Sequence, residues 1–348
     1  MIRLIDMSTV DNEKKKVYEL DLKDRKILYL LSEDGKMAVT DIAKDVGLSK
    51  DAVTYRINRL VERGIILYFI PIINVHKLGF FSYYIYLQLE NLKSETDSEL
   101  LNYLKESKYT MFVGSCFGSY DVVAQIFVKN TQELDIFLRE LRNRYDSNIR
   151  DFTLLLATKE QKLPAKYLAE SQSLNLPLRK KETDEKNIIL DEKDMQILAM
   201  LSRDAKIPTY KIASELNISS DAVIYRIKKL VDLGVIDRFI AAIDVTKLGY
   251  RWHIVLLQMR NLTDEKEKIL LSFIKGHPHM LYLTKAIGKY DLAIDVNAKN
   301  EKHFNDVLME LRIKFQDIIK AYDTILMFEE YKYTYFPDVI MADVAEIT

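Results

Sequence analysis

The sequence predicts an α+β protein in which the same series of helices and strands occurs twice. The segment Asp51–Leu60 (DAVTYRINRL) recurs at Asp221–Leu230 (DAVIYRIKKL) with seven of ten positions identical, at an offset of 170 residues. In each copy, apolar residues first recur with a helical period and then cluster or alternate as in β-strands. Solenoid repeats are only ~20–50 residues long, so an offset of this size indicates a tandem duplication of whole domains.

The composition is that of a globular protein with balanced charge. Of 348 residues, 48% are hydrophobic and 30% are charged, and the formal net charge is −1. This excludes a disordered tail and a uniformly basic nucleic-acid coat, so any contact with an anion needs a local patch. The single cysteine, Cys116, excludes an internal disulfide and a cysteine-based zinc cluster. We find no secretory signal and no apolar run long enough to cross a bilayer, and therefore expect a cytoplasmic protein.

The first part of copy one is predicted to be helical. Apolar spacing indicates helices over residues 22–33, 40–46 and 50–63, and Gly47 marks a tight turn between the second and third. Three short helices with such a turn form a helix-turn-helix, and the β-like segment Ile65–Ile73 that follows is a plausible wing. The predicted N-caps of the three helices are Asp21, Thr40 and Ser49.

The second part of each copy is predicted to have the order β-α-β-β-α-β. This order is the ferredoxin-like split motif. In copy one the predicted elements are 81–90, 95–107, 109–117, 120–128, 131–145 and 149–157. In copy two they are 250–260, 264–276, 279–288, 290–298, 300–316 and 319–328.

These patterns divide the chain into two winged helix-turn-helix units, two ferredoxin-like domains and a linker. The linker is polar and contains two prolines; if flexible, its r.m.s. reach is roughly 30 Å, enough for the copies to lie side by side. The predicted domains are 18–75 and 76–158 in copy one, the linker 159–187, and 188–245 and 246–336 in copy two.

Four short motifs recur in the same order in both copies. They are LDxxD at Leu20–Asp24 and Leu190–Asp194, the helix segments quoted above, K-L-G at Lys77–Gly79 and Lys247–Gly249, and G-x-Y-D at Gly118–Asp121 and Gly288–Asp291. The series resembles the Lrp/AsnC (feast/famine) family of transcription regulators, whose second domain is called RAM-type, over nearly all of residues 20–157 and 190–328. The family's usual chain holds one copy, so this chain resembles a dimer fused into one polypeptide, an intramolecular pseudo-dimer.

The resemblance implies a function for each unit. The first would bind double-stranded DNA, and the second would pair the copies through its sheet and hold a small effector, typically an amino acid, near the G-x-Y-D hairpin. A higher homo-oligomer is also compatible with this family.

The third helix of each copy carries the candidate DNA contacts. Lys50, Thr54 and Asn58 lie four apart and form one stripe opposite the apolar face. Asn58 can pair with adenine, and Thr54 with a base edge or a thymine methyl. At the equivalent position to Thr54, Ile224 offers only apolar contact, so we expect unequal half-sites, an imperfect palindrome. The full predicted set is Ser49, Lys50, Thr54, Tyr55, Arg56, Asn58 and Arg59 in copy one, and Ser219, Ser220, Ile224, Tyr225, Arg226, Lys228 and Lys229 in copy two.

The basic residues of these helices have two interpretations. Arg56, Arg59, Arg226 and Lys229 are candidate phosphate contacts. The alternative is that Arg56 and Arg226 pair with Asp51 and Asp221 or with another helix carboxylate. A further alternative for the whole unit is a protein-interaction module that has lost DNA binding, because a fold does not fix a function.

The two G-x-Y-D hairpins supply the candidate effector residues. An aspartate there could receive the ammonium of an amino acid; alternatively, the glycine serves the turn and the aspartate accepts backbone hydrogen bonds. Nearby, Lys285 could hold an acidic ligand or neutralise Asp291. The candidate set is Gly118, Tyr120, Asp121, Gly288, Tyr290 and Asp291.

Enzymatic chemistry is the less favoured prediction. The sequence contains no nucleophile motif, P-loop or dinucleotide fingerprint, and we expect neither a cofactor nor a bound metal. The histidines His253, His277 and His279 could meet and bind a metal, but solvated or capping roles are simpler. The two-domain architecture also resembles that of the siroheme decarboxylases, which are enzymes related to this regulator family. The resemblance implies His and Arg side chains at a tetrapyrrole pocket. Only His279 is a candidate for that role, with Tyr109 at the equivalent position of copy one.

The remaining unusual side chains are expected to pack. Cys116 is expected to be a small buried residue on a strand. Tyr83, Tyr84 and Tyr86 follow one another along a single strand and alternate between its faces, which favours core and interface packing over an RNA-stacking sheet.

Overall fold

The computed structural model describes residues 16–90, 94–169 and 188–341. Each copy has a helix-turn-helix followed by a β-α-β-β-α-β domain, which confirms the predicted fold class. In copy one the elements are α1 Leu22–Glu33, α2 Val39–Val46, α3 Lys50–Glu62, β1 Ile66–Ile73, β2 Phe81–Leu89, α4 Ser94–Glu106, β3 Thr110–Gly118, β4 Val122–Val128, α5 Thr131–Tyr145 and β5 Ile149–Lys162. In copy two they are α6 Glu192–Arg203, α7 Thr209–Leu216, α8 Ser220–Asp232, β6 Ile236–Ile243, β7 Arg251–Met259, α9 Asp264–Gly276, β8 Met280–Gly288, β9 Leu292–Ala298, α10 Glu301–Lys314 and β10 Ile319–Tyr333.

The helix starts follow the predicted caps in two of three cases. The Asp21 carboxylate accepts the Asp24 backbone N–H at 2.8 Å, and Ser49 Oγ accepts the Ala52 N–H at 3.2 Å. These bonds satisfy N–H groups that a helix leaves unpaired at its first turn. The second helix begins at Val39, before the predicted cap Thr40, and has no side-chain cap.

The two ferredoxin-like sheets close into one eight-stranded barrel. Its strand order is β10-β3-β4-β2-β5-β8-β9-β7, with antiparallel β5–β8 and β3–β10 pairs joining the copies. Closure leaves the barrel without the unpaired edges that an open sheet exposes. The chain is therefore an intramolecular pseudo-dimer, as its duplicated sequence implied.

The joining strands β5 and β10 are long because they pair with the other copy. β5 continues beyond residue 157 to Lys162, which lies opposite Tyr282, and β10 continues beyond residue 328 to Tyr333, opposite Phe112. The first residues of the predicted linker, 159–162, are thus strand. The rest of that linker is described only at 163–169 and from residue 188; residues 170–187 lie outside the described part.

The segment predicted as a wing is a strand shared between the copies. β1 and β6 form a two-stranded antiparallel sheet in which Phe69 lies opposite Ala241 and Ile70 opposite Ile240. The turn after each first helix extends this contact, because Gly35 N–H donates to Phe239 O at 2.7 Å and its counterpart Ala205 N–H to Phe69 O at 2.9 Å. Five of the eight residues of β1 and four of the eight of β6 are buried, and their pairing joins the two helix-turn-helix units.

The apolar core is continuous across the duplication. One cluster of buried side chains runs from α1 and α6 through the β1–β6 ribbon into the barrel, and a second lies between the barrel and α9 and α10. Within the described residues, no helix is both long enough and apolar enough to traverse a bilayer.

Candidate nucleic-acid interface and hairpin site

The predicted stripe on α3 lies on the exposed face of that helix. Lys50, Thr54 and Asn58 are exposed, whereas Val53 and Ile57 on the opposite face are buried. The Thr54 hydroxyl donates to the Lys50 carbonyl at 3.0 Å, so its methyl and oxygen are held against the helix. The stripe is therefore open to solvent on the side of α3 away from the core.

The equivalent face of α8 is more apolar. The side chains of Ile224 and Tyr225 are 52% and 69% exposed, and Lys228 is also exposed, while Ser220 is half-buried. Ile224 thus presents an apolar side chain where Thr54 of copy one presents a hydroxyl and a methyl.

The other basic side chains of α3 bind carboxylates of α1 and its cap. Arg56 lies 2.8 Å from Asp21 and 2.7 Å from Asp24, and Arg59 lies 2.7 Å from the second oxygen of Asp24. The Asp24 side chain is only 3% exposed, so both arginines neutralise a buried charge.

Copy two repeats this arrangement. Arg226 lies 2.6 Å from both Asp191 and Asp194, and Lys229 lies 2.8 Å from Asp194. The hydrogen bonds that Arg226 donates to Asp191 and Asp194 raise the pKa of its guanidinium above the ordinary value. The ion-pair interpretation of Arg56 and Arg226 is therefore correct, but the partners come from the first helix of each unit and its cap, not from Asp51 and Asp221.

The lysines of the two K-L-G motifs cap the recognition helices of the opposite copy. Lys77 Nζ donates to the carbonyl of Leu233 at the end of α8 at 3.0 Å, and Lys247 Nζ donates to the carbonyl of Arg63 at the end of α3 at 2.9 Å. A cation at a helix C-terminus satisfies unpaired carbonyls and is favoured by the helix dipole. Each copy therefore caps the C-terminal end of the third helix of the other copy. The sequence motif was visible, but its partner in the other copy was not.

The hairpin glycines are required by contact between the copies. Gly118 has φ +125°, and a Cβ there would lie 2.5 Å from the Thr324 carbonyl oxygen of β10. Gly288 has φ +151°, and a Cβ would lie 2.7 Å from the Leu154 carbonyl oxygen of β5. Both positions combine a backbone conformation that favours glycine with a close approach of backbone from the other copy.

The hairpin aspartates accept backbone hydrogen bonds. Asp121 accepts the Leu89 N–H at 2.7 Å, and Asp291 accepts the Met259 N–H at 2.6 Å. This is the structural role left open by the sequence, and it occupies one oxygen of each carboxylate. Lys285 forms an ion pair with Glu267, and not with Asp291, which was one of the two interpretations that the sequence left open.

The hairpin tyrosines meet at the centre of the pseudo-dimer. The hydroxyls of Tyr120 and Tyr290 lie 3.1 Å apart, and Tyr290 also donates to the Asp323 carboxylate. Lys289 Nζ donates to the Tyr120 hydroxyl at 3.1 Å and lies 4.0 Å from Asp323. An ammonium and a carboxylate thus stand together beside the two hairpins.

The histidines of copy two pack against aromatic side chains. His279 Nδ1 bonds to the Asn297 carbonyl at 3.1 Å, and its ring stacks on Tyr167. Burial and the neighbouring His303 and His277 lower the pKa of His279 to about 4, so it is neutral at pH 7. Within the described residues, no cluster of three or more His, Cys, Asp or Glu side chains is arranged to hold a metal ion.

Cys116 is the small buried strand residue that was predicted. Its thiol donates to the Tyr120 carbonyl at 3.2 Å, and burial raises its pKa to about 12. A thiol protonated at neutral pH is a poor nucleophile.

Comparisons with known proteins assign the family. A winged helix-turn-helix DNA-binding model matches residues 20–66, and an AsnC-type helix-turn-helix domain model matches residues 190–231. An uncharacterised HTH-type transcriptional regulator of Pyrococcus horikoshii is 33% identical over 141 residues, which is 40% of this chain and 86% of that protein. The HTH-type transcriptional regulator FL11 of Pyrococcus furiosus is 36% identical over 119 residues, 34% of this chain and 78% of its own length. The chain belongs to the Lrp/AsnC family of HTH-type transcriptional regulators, and each matched stretch is shorter than one of its two copies.

The duplicated architecture also occurs in a solved structure. The siroheme decarboxylase NirDL superposes over 93% of this chain and 99% of its own, with a TM-score of 0.60 and 14% identity. At that identity the likeness establishes a shared fold.

Proposed function

We propose that this protein is a sequence-specific transcription regulator that binds double-stranded DNA through α3 and α8. The observation that carries the proposal is the exposed stripe Lys50, Thr54 and Asn58 on a capped helix whose other face is packed. The first turns of such a helix are the part that reaches base edges in the major groove. Membership of a family of transcription regulators supports the same function.

The proposed contact set is narrower than the predicted one. Arg56, Arg59, Arg226 and Lys229 bind carboxylates of their own units and are assigned to structure. The proposed contacts are Ser49, Lys50, Thr54, Tyr55 and Asn58 in copy one, and Ser219, Ser220, Ile224, Tyr225 and Lys228 in copy two.

The two helices are proposed to read different half-sites. Asn58 suits adenine, whereas Lys228 at the equivalent position suits guanine or a phosphate, and Ile224 suits a thymine methyl. Half-sites read by a paired helix-turn-helix are expected about 34 Å apart, or a multiple of that distance. We propose that the protein acts on such an operator in the cytoplasm.

A small effector is proposed at the hairpin end of the barrel. Lys289 and Asp323 supply a positive and a negative group there, which complement the carboxylate and ammonium of an amino acid. Both side chains are partly exposed, so a ligand can reach them.

Salt-dependent binding to duplex DNA tests the function. Fluorescence anisotropy with genomic fragments, from about 50 to 200 mM salt, should show affinity that falls steeply and linearly on logarithmic axes. The variant Asp306→Asn, on the far-removed helix α10, serves as the control and should bind as the parent does. The titration is repeated with a panel of amino acids, and the absence of any salt-sensitive binding would reject the proposal.

A siroheme decarboxylase activity is the second candidate, and the shared architecture with NirDL favours it. His279, its one sequence candidate, is neutral and enclosed by Tyr167 and Tyr250, which suits packing better than anion binding. Incubation with siroheme, followed by mass spectrometry, should show no loss of CO₂ if the regulator proposal is correct.

A further inference from the structure

The two-stranded β1–β6 ribbon is centred on the pseudo-twofold axis of the chain. The offset of 170 residues relates Ile70 to Ile240, and these two residues lie directly opposite each other in the antiparallel pair. A residue that pairs with its own equivalent marks the axis that exchanges the two copies. The same axis exchanges the two proposed recognition helices, α3 and α8, so a duplex that contacts both helices has to cross it.

One face of the ribbon is turned towards the barrel and the other away from it. Arg238 donates to the carbonyl of Lys162, in barrel strand β5, at 2.9 Å, so its face is the one towards the barrel. Phe239 is the next residue in a regular stretch of the pairing and therefore points to the opposite face. Its equivalent Phe69 lies opposite Ala241, two residues from Phe239, and shares that face. Because a packed core fills the space between ribbon and barrel, a duplex that crosses the axis has to pass on the phenylalanine side.

Two equivalent lysines cover these phenylalanine rings, each from the opposite copy. Lys36 Nζ lies 3.9 Å from the centroid of the Phe239 ring, and Lys206 Nζ lies 3.5 Å from the centroid of the Phe69 ring. Both lysines are exposed, whereas both rings are only 8% exposed. An aromatic face attracts a cation. Two ammonium groups are therefore held near the axis, on the side of the ribbon away from the barrel.

The carboxylates of this region have other partners. Asp34 accepts the backbone N–H of Lys36 at 3.0 Å, and Asp204 accepts the backbone N–H of Lys206 at 2.8 Å. Asp237 of β6 lies 3.6 Å from the guanidinium of the next residue. Among the residues that the structure describes, neither lysine forms an ion pair with a carboxylate. The two ammonium groups are therefore available to an external anion.

We propose that Lys36 and Lys206 bind the phosphates that flank the centre of the operator, between the two half-sites. A duplex held by α3 and α8 crosses the axis on the open side of the ribbon, where these ammonium groups lie. Lysine binds phosphate as a point charge. Two equivalent lysines about a twofold axis suit a duplex whose half-sites are related by the same symmetry. The inference rests on the proposed function and adds a central contact to the contacts within the half-sites.

Titration with an operator that the parent selects from random duplex DNA tests the inference. Measured from about 50 to 200 mM salt, the double variant Lys36→Met with Lys206→Met should bind about 10-fold more weakly and show a salt slope reduced by about two units. The flexible methionines can still pack on the two rings. The double variant Lys36→Arg with Lys206→Arg keeps the charge and the stacking, so it should keep the slope of the parent. Thermal unfolding checks that both variants are folded.

The chain offers a control that removes two similar charges elsewhere. Arg144 on α5 and Lys314 on α10 also lie over aromatic rings, those of Tyr103 and Phe273, at 5.1 and 4.6 Å from the centroids. Arg144→Met with Lys314→Met changes the net charge by the same amount as the methionine variant of the ribbon lysines. It should leave the affinity and the salt slope as they are in the parent, because neither residue lies in a helix-turn-helix unit or in its turns.

Ethylation interference locates the proposed contacts on the DNA. Ethylation of the central phosphates should weaken binding by the parent, and only this central interference should disappear in the variant with Lys36→Met and Lys206→Met. An unchanged salt slope in that variant, an equal change in the control, or no central interference with the parent would overturn the inference and leave DNA binding by α3 and α8 standing. A parent that binds no duplex would instead overturn the proposed function, and this inference with it.

Discussion

The hydroxyl groups of Tyr120 and Tyr290, equivalent residues of the two copies, lie 3.1 Å apart inside one chain. Their surroundings differ, because Tyr120 also bonds to Thr153 at 2.9 Å, whereas Tyr290 donates to Asp323, the counterpart of Thr153. Duplication has thus produced a symmetric contact with an asymmetric hydrogen-bond network.

Removing either hydroxyl should destabilise the pseudo-dimer. Tyr120→Phe and Tyr290→Phe are each expected to lower the free energy of unfolding by about 1–2 kcal/mol, because buried partners are left unsatisfied. The double variant should lose less free energy of unfolding than the two single variants together, since the two hydroxyls share one hydrogen bond. Denaturant unfolding measures these values, with the exposed Tyr210→Phe as control. Strict additivity would argue against the direct bond.

The reciprocal lysine caps predict a link between the copies and the recognition helices. Lys77→Met should lower the free energy of unfolding by about 1 kcal/mol or more, because the end of α8 loses its cap. It should also weaken specific DNA binding, although Lys77 is buried and is not one of the proposed DNA contacts. Lys247→Met should act in the same way on α3, and the exposed Lys320→Met provides the control. DNA affinity equal to that of the parent would show that these caps do not position the helices.

Mutations should distinguish residues that contact base edges from residues that contact phosphates. Asn58→Ala is expected to cost about 1–3 kcal/mol on the preferred site and little on random DNA, because an amide reads a base. Lys50→Ala should weaken both alike and reduce the salt slope by about one unit. Anisotropy titrations on both DNAs measure this difference. Parallel losses in the two variants would mean that the assigned roles are incorrect.

The cap carboxylates predict loss of stability in acid. Burial alone would raise the pKa of Asp21, but hydrogen bonds from the Asp24 backbone and from Arg56 lower it below its ordinary value. A carboxyl group whose pKa is lower in the folded protein than in the unfolded chain, where it is near 3.9, stabilises the fold at higher pH. That stabilisation is lost as the pH falls through the pKa of the folded state. Asp21→Asn should therefore destabilise the protein at pH 7, and the difference in stability between variant and parent should shrink progressively below pH 4. Thermal unfolding from pH 7 to pH 2.5 checks this; a constant difference between variant and parent would contradict it.

The sequence predicts local features well because their causes are local. Asp21 and Ser49 cap helices through residues three positions away, and the G-x-Y-D hairpins need glycine at the turn. The extension of β5 through Lys159–Lys162 was missed because charged residues beside a proline resemble a linker. Their pairing partner, β8, lies more than a hundred residues away.

At the candidate site, too, the sequence predicts local features but not contacts between distant residues. The stripe Lys50, Thr54 and Asn58 follows from helical spacing, and the structure leaves it exposed. The ion pairs of Arg56 and Arg59 with Asp24 join residues more than thirty positions apart, and the caps of Lys77 and Lys247 join different copies. Such contacts depend on packing that periodicity does not encode.

Selection of preferred sites from random duplex DNA tests the central claim most directly. The parent should enrich an operator with two unequal half-sites, whereas a variant with Lys50→Ser, Thr54→Ile and Asn58→Lys, which gives α3 the stripe of α8, should enrich a more symmetric one. Enrichment of a strict palindrome by the parent, or of no sequence at all, would contradict the account of two different recognition helices in one chain.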